Sequence, residues 1–115
     1  MTTVTFHSAD SRLDGFVVEG HSGYAEEGAD IVCAAISAAV GVTECVINEV
    51  MALGAPVKAK EKSARISLKL PAGLSEENES ACQNLLTGMM VYLQAMAEEY
   101  PENLIVLLDD DDEKD

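Results

Sequence analysis

His21 and Cys33, separated by a glycine-rich stretch, are the two residues of this sequence whose types and spacing suit covalent catalysis. A thiol attacks as thiolate, and the first turn of a helix favours that anion through its unpaired N–H groups and the helix dipole. Asp30 is a good N-cap, which makes Cys33 the third residue of the helix that follows, with its N–H in reach of the cap side chain. His21 comes directly after an expected strand, and Gly20, Gly23 and Gly28 form a pliant loop able to fold the imidazole onto the thiol. A nucleophile and base about 3 Å apart, with a third group orienting the base, is the general arrangement for such chemistry. Asp30 is the candidate third group, although one oxygen cannot both cap the helix and orient His21, and its charge opposes the dipole's effect on the thiol. Ser37 stands one turn beyond Cys33 on the same helix face. There it either contacts a bound peptide or is a small residue that lets the helix approach the sheet. The bland reading of Cys33 itself is a buried structural thiol.

The remaining thiols and imidazole invite less chemistry. Cys45 is twelve residues along the same helix, about 120° around and about 18 Å away, so no disulfide can join it to Cys33. Three cysteines, an odd count, argue for free thiols rather than a disulfide framework. No Cys or His pair has the short spacing of zinc ligands, so neither a metal nor another cofactor is expected, and His7 reads as a surface residue.

The elements that must position the pair follow from periodicity. Thr2 to Ser8 and Leu13 to Gly20 read as a hairpin, with Gly15 as a bulge. From Asp30 the residues Val32, Ala35, Ala39, Val42, Val46, Val50 and Leu53 recur at spacings of three and four, an amphipathic helix ended by Gly54 and Pro56. Val57 to Glu61 and Ala64 to Leu70 give a second hairpin with Ile66, Leu68 and Leu70 inward. Ser75 caps a second helix with Leu85, Met89, Leu93 and Met96 on its core face, and Asn103 to Leu108 is a last strand. The order ββαββαβ predicts an α+β two-layer sandwich, a mostly antiparallel sheet with both helices on one face. Residues 1–108 form the single domain, and 109–115 an acidic, solvated tail.

Composition bounds the partners. With 48% hydrophobic and 24% charged residues the chain can bury a core. Its formal charge of −14, from 21 acidic against 7 basic residues, disfavours direct contact with nucleic acid. The start lacks a secretory pattern and the longest uncharged stretch, Ile31 to Thr43, is short for a membrane span, which predicts a cytoplasmic protein without a membrane partner. The uncharged half of the first helix needs cover on most sides, and a dimer partner is one candidate.

The run Gly20-His21-Ser22-Gly23-Tyr24-Ala25, then Gly28, Asp30-Ile31-Val32-Cys33-Ala34-Ala35 and Ser37, closely resembles the motif of the ribosomal-processing cysteine protease family, Prp. Ser22 departs from it, since the family often has Ala there. The resemblance implies a homodimeric endopeptidase that removes a short N-terminal extension from ribosomal protein L twenty-seven, with a flexible loop over its site. It implies Cys33 as nucleophile and His21 as base, with Gly20, Gly23, Asp30 and Ser37 as supporting motif positions. An acidic enzyme would attract a basic ribosomal protein. Two other readings stay open at the level of sequence: a module that binds a ribosomal protein without cutting it, and a ribosome-associated structural protein.

Overall fold

The computed structural model describes residues 1–20, 27–60 and 64–111, with the side chains of 27–30 outside that description. The expected order holds: β1 (Thr2–Ala9), β2 (Arg12–Glu19), α1 (Glu27–Glu44), β3 (Val57–Lys60), β4 (Arg65–Lys69), α2 (Glu76–Glu99) and β5 (Leu104–Asp110). α1 runs on into a π-helical segment, Cys45–Val50. The strands make one sheet in the order β3-β4-β2-β1-β5, antiparallel except where β5 lies parallel to β1.

Local rules account for the frame. Asp10 and Ser11 both take positive φ, as a two-residue turn matched to strand twist requires. Ser75 caps α2 by accepting the Asn78 N–H at 3.1 Å. Arg12 donates to Glu79 at 2.6 Å and to the Pro71 carbonyl at 2.9 Å. Gln83 exchanges two 2.8 Å bonds with the Leu13 backbone, so polar contacts fix α2 against the first hairpin.

The core lies between the sheet's inner face (Val4, Phe6, Phe16, Leu68) and the helices. α1 and its extension bury Val32, Ile36, Val40, Thr43 and Ile47, a stripe offset from the expected one; Val42 and Val50 are exposed. The helix is apolar nearly all round, so periodicity alone could not choose which face meets the sheet. On α2, Met89, Leu93 and Met96 are buried as expected, but Cys82 and Leu86 join them while Leu85 is only half-buried. Because the helix continues past Glu44, Ile31–Val50 is long and apolar enough to cross a membrane by length and composition, unlike the shorter stretch read from the sequence. In this fold it packs one stripe onto the sheet.

The bulge falls beside Gly15. Ser8 pairs with Leu13 and His7 with Gly15, leaving Asp14 as the extra residue, re-aimed so that its carboxylate meets His7. β5 extends into the acidic run: Asp109 and Asp110 pair with His7 and Ser8, and the Asp111 N–H donates to the Ser8 carbonyl at 2.8 Å. The folded unit therefore continues past Leu108.

Candidate active site

The positions around Cys33 are set by the end of β2 and the start of α1. Gly20 has φ +78°, and its N–H donates to the Ala64 carbonyl at 3.0 Å. A Cβ there would stand 2.8 Å from the Met1 carbonyl oxygen, so both conformation and space demand glycine directly after β2. His21 and Gly23 lie outside the described residues, as does the side chain of Asp30.

The helix begins earlier than expected. With Glu27 as its first residue, Asp30 has helical backbone rather than the extended backbone of an N-cap, and Cys33 is in the second turn. The N–H of residue 33 is then inside the i→i−4 ladder and is not one of the four open donors of the helix start. Cys33 is thus displaced from the first turn, where the dipole acts most strongly. Its side chain is half-buried, at the border of the core.

Ser37 is exposed and lines a groove of about 420 Å³ between α1 and the β3–β4 hairpin. Ile36, Val40, Gly41 and Ile66 supply its apolar wall, and Lys60 and Arg65 its rim. Cys33 precedes Ser37 by one turn, roughly 6 Å along the axis, so the groove leads away from the thiol. Apart from Ser37 and Ile66, the groove residues were not singled out from sequence. Gly41, four positions after Ser37, was the available signal, since the same face carries one small residue per turn.

The other thiols are differently placed: Cys45 is exposed and Cys82 is buried. Burial pushes the Cys82 thiol above its ordinary value, Glu79 adding to the effect and Arg12 opposing it. A proton-bearing, inaccessible sulfur is a packing group.

On the far side of the sheet His7 is held between two carboxylates, Nδ1 to Asp14 at 2.5 Å and Nε2 to Asp111 at 2.8 Å. One ligand atom from each of His7, Asp109 and Asp111 lies within 4.8 Å of the others, a grouping able to share a cation. The hydrogen bond to Asp14, then that to Asp111, raises the His7 pKa above its ordinary 6.5. A raised folded value means that stabilisation is fully present below the ordinary value and fades as pH rises through the raised one. Urea midpoints should therefore fall on the alkaline side of pH 6.5 in the native protein, and the fall should be smaller in His7→Gln.

The family described as Cysteine protease Prp matches residues 1–105. Ribosomal processing cysteine protease Prp of Bacillus subtilis (strain 168) is 34% identical over 101 residues, spanning 86% of this chain and 88% of that protein. Among solved structures, the Prp protease of S. aureus with a substrate peptide superposes with TM-score 0.78 at 25% identity, over 94% of this chain and 99% of that one. Its complex with a covalently linked product peptide gives 0.77 at 26%, with the same coverage. A Streptococcus mutans protein with TM-score 0.83 and 22% identity, covering 96% and 95%, shares the fold.

Proposed function

The chain belongs to the cysteine protease Prp family, and from that premise we propose that it removes the N-terminal extension of ribosomal protein L twenty-seven, with Cys33 as nucleophile and His21 as base. The observation that carries the reading is the groove of about 420 Å³ lined by Ser37, one helical turn along α1 from Cys33, with room for side chains of a peptide.

His21 takes the Cys33 proton, and the thiolate attacks the scissile carbonyl carbon. The tetrahedral oxyanion collapses to a thioester as the C–N bond breaks, and the leaving amine receives the proton from His21. Water, deprotonated by the same imidazole, then opens the thioester and restores the thiol. Because the Cys33 N–H is committed to the helix, the oxyanion donors are assigned to backbone N–H groups nearer the helix start. Gly20 and Gly23 let the loop reach over the peptide, Asp30 orients the histidine, and Ser37 touches the substrate. No metal or cofactor is needed for these steps. The enzyme acts in the cytoplasm and as a homodimer, the dimer being supported by the exposed Ile31 and Val42 of α1 and Val91 and Tyr92 of α2.

Incubation with a peptide spanning the junction between extension and mature protein tests this. Mass spectrometry should find two products from one cut, with masses summing to the substrate plus water. Brief acid quenching should trap the N-terminal product on Cys33. An intact peptide after prolonged incubation would refute the assignment.

A further inference from the structure

The outer face of the sheet, opposite the helices, gathers the cations of an acidic protein. Of the 7 Lys and Arg residues, Lys58, Lys60, Lys62, Arg65 and Lys69 fall in one short stretch, the second hairpin. The register sets Lys60 opposite Arg65, Lys58 opposite Ser67, and Lys69 opposite Gly15. Since Val57, Ile66 and Leu68 face the core, alternation sends Lys58, Lys60, Arg65, Ser67 and Lys69 outward together. Like charges directly opposite each other cost stability.

Of these, Lys58, Arg65, Ser67 and Lys69 line a hollow of about 330 Å³. Its floor is Gly15, Val17 and Ser67, and its walls include Lys58, Arg65 and Lys69. Gly15 cannot be otherwise: a Cβ would stand 2.4 Å from the Leu68 carbonyl oxygen. The close approach of the β4 backbone to Gly15 brings Lys69, its partner in register, to the same hollow as His7, its partner on β1. Asp14 also borders the hollow, but its carboxylate is bonded to the His7 ring.

Arg65 has a carboxylate partner, Glu19 at 3.3 Å, whereas among the described residues none lies within salt-bridge range of Lys58 or Lys69. In a chain with 21 acidic residues this is a conspicuous omission. Lysines on an edge strand do guard against unwanted strand pairing, and that explains Lys58 and Lys60 on β3. It does not explain Lys69 and Arg65, which stand on β4, an interior strand.

We propose that this hollow binds the phosphate group of a small molecule, seated over Gly15 and Ser67 between Lys58 and Lys69. A phosphate offers several acceptor oxygens and up to two charges, which suits two ammonium groups, a hydroxyl and the neighbouring guanidinium better than a single carboxylate does. The ligand is small because the favourable field is local. Beyond about 8 to 10 Å screening dominates, and a long polyanion crossing the sheet would meet Asp109 and Asp111 at the β5 edge.

Titration of the full-length protein with pyrophosphate at low salt, followed by backbone amide NMR, tests the proposal. Saturable shifts centred on Gly15, Ser67 and Lys69 are expected, and Lys58→Gln with Lys69→Gln should weaken binding at least about tenfold, losing two charge-assisted bonds. Absence of saturation at millimolar pyrophosphate would overturn it. So would undiminished binding by the double variant with a native far-UV spectrum, an equal response to a hexa-aspartate peptide, or tighter binding of a short RNA strand than of pyrophosphate.

Discussion

Replacing Cys33 with alanine will abolish peptide cleavage and leave the protein folded. Removal of a covalent nucleophile costs roughly 10⁶-fold in turnover where its partners remain, and the proposed thioester route requires the Cys33 sulfur. Cys33 is half-buried, so losing its sulfur should shift stability by no more than about 1 kcal/mol. The combination to be measured is a cleavage rate at background with an unchanged urea midpoint and retained peptide binding by calorimetry. Cys33→Ser should be equally inactive, since a hydroxyl is far harder to ionise than a thiol. A Cys33→Ala protein that still cuts would remove Cys33 from the mechanism, whatever its place beside the groove.

The largest expected loss of stability comes from the sheet side of the core. Phe16 is 1% exposed, pairs across the hairpin with Phe6, and holds its ring 6.0 Å from that ring at a 50° tilt. Phe16→Ala deletes the ring where the sheet cannot collapse to fill the space, at a cost of about 3 to 5 kcal/mol. At roughly 4 °C per kcal/mol for a domain of this size, the thermal midpoint should drop by about 12 to 20 °C. Val17→Ala, one residue away on the outer face, should cost far less, and Phe16→Leu should recover most of the loss. Equal losses at Phe16 and Val17 in calorimetry would mean that the inner face does not carry the core.

The order of elements was legible because each boundary carries its own signal. Ser75 before an acidic first turn announces α2, and Gly54 with Pro56 ends the long helix segment. What failed was part of the expected α1 face, at Val42 and Val50, and the start of that helix. Ile31 to Thr43 is uncharged, so Val32-Ile36-Val40 and Ala35-Ala39-Val42 are equivalent until the sheet chooses the bulkier row. Asp30 is as good a first-turn residue as a cap, and only backbone geometry separates the two. The acidic run looked uniformly solvated, yet two of its residues continue β5, because register with His7 and Ser8 decides where a strand stops. The role of His7 was likewise invisible: its partners are seven and 104 residues away in sequence. The Gly20-His21 and Cys33 motif, by contrast, could be read from residue types and spacing. The groove beside it is assembled from α1 and a hairpin that only the tertiary fold brings together.

The parallel union of β5 with β1 carries a consequence for biosynthesis. Thr2 is matched with Leu104, so β1 receives its outer neighbour only after about a hundred further residues, as far as β5, have been made. Closing so long a loop is entropically costly and slow compared with forming the adjacent hairpin. A nascent chain stalled before Leu104 would leave one border of β1 open and Leu104's buried niche empty, exposing a sticky intermediate to chaperones. Maturation of the fold is thereby tied to synthesis of β5.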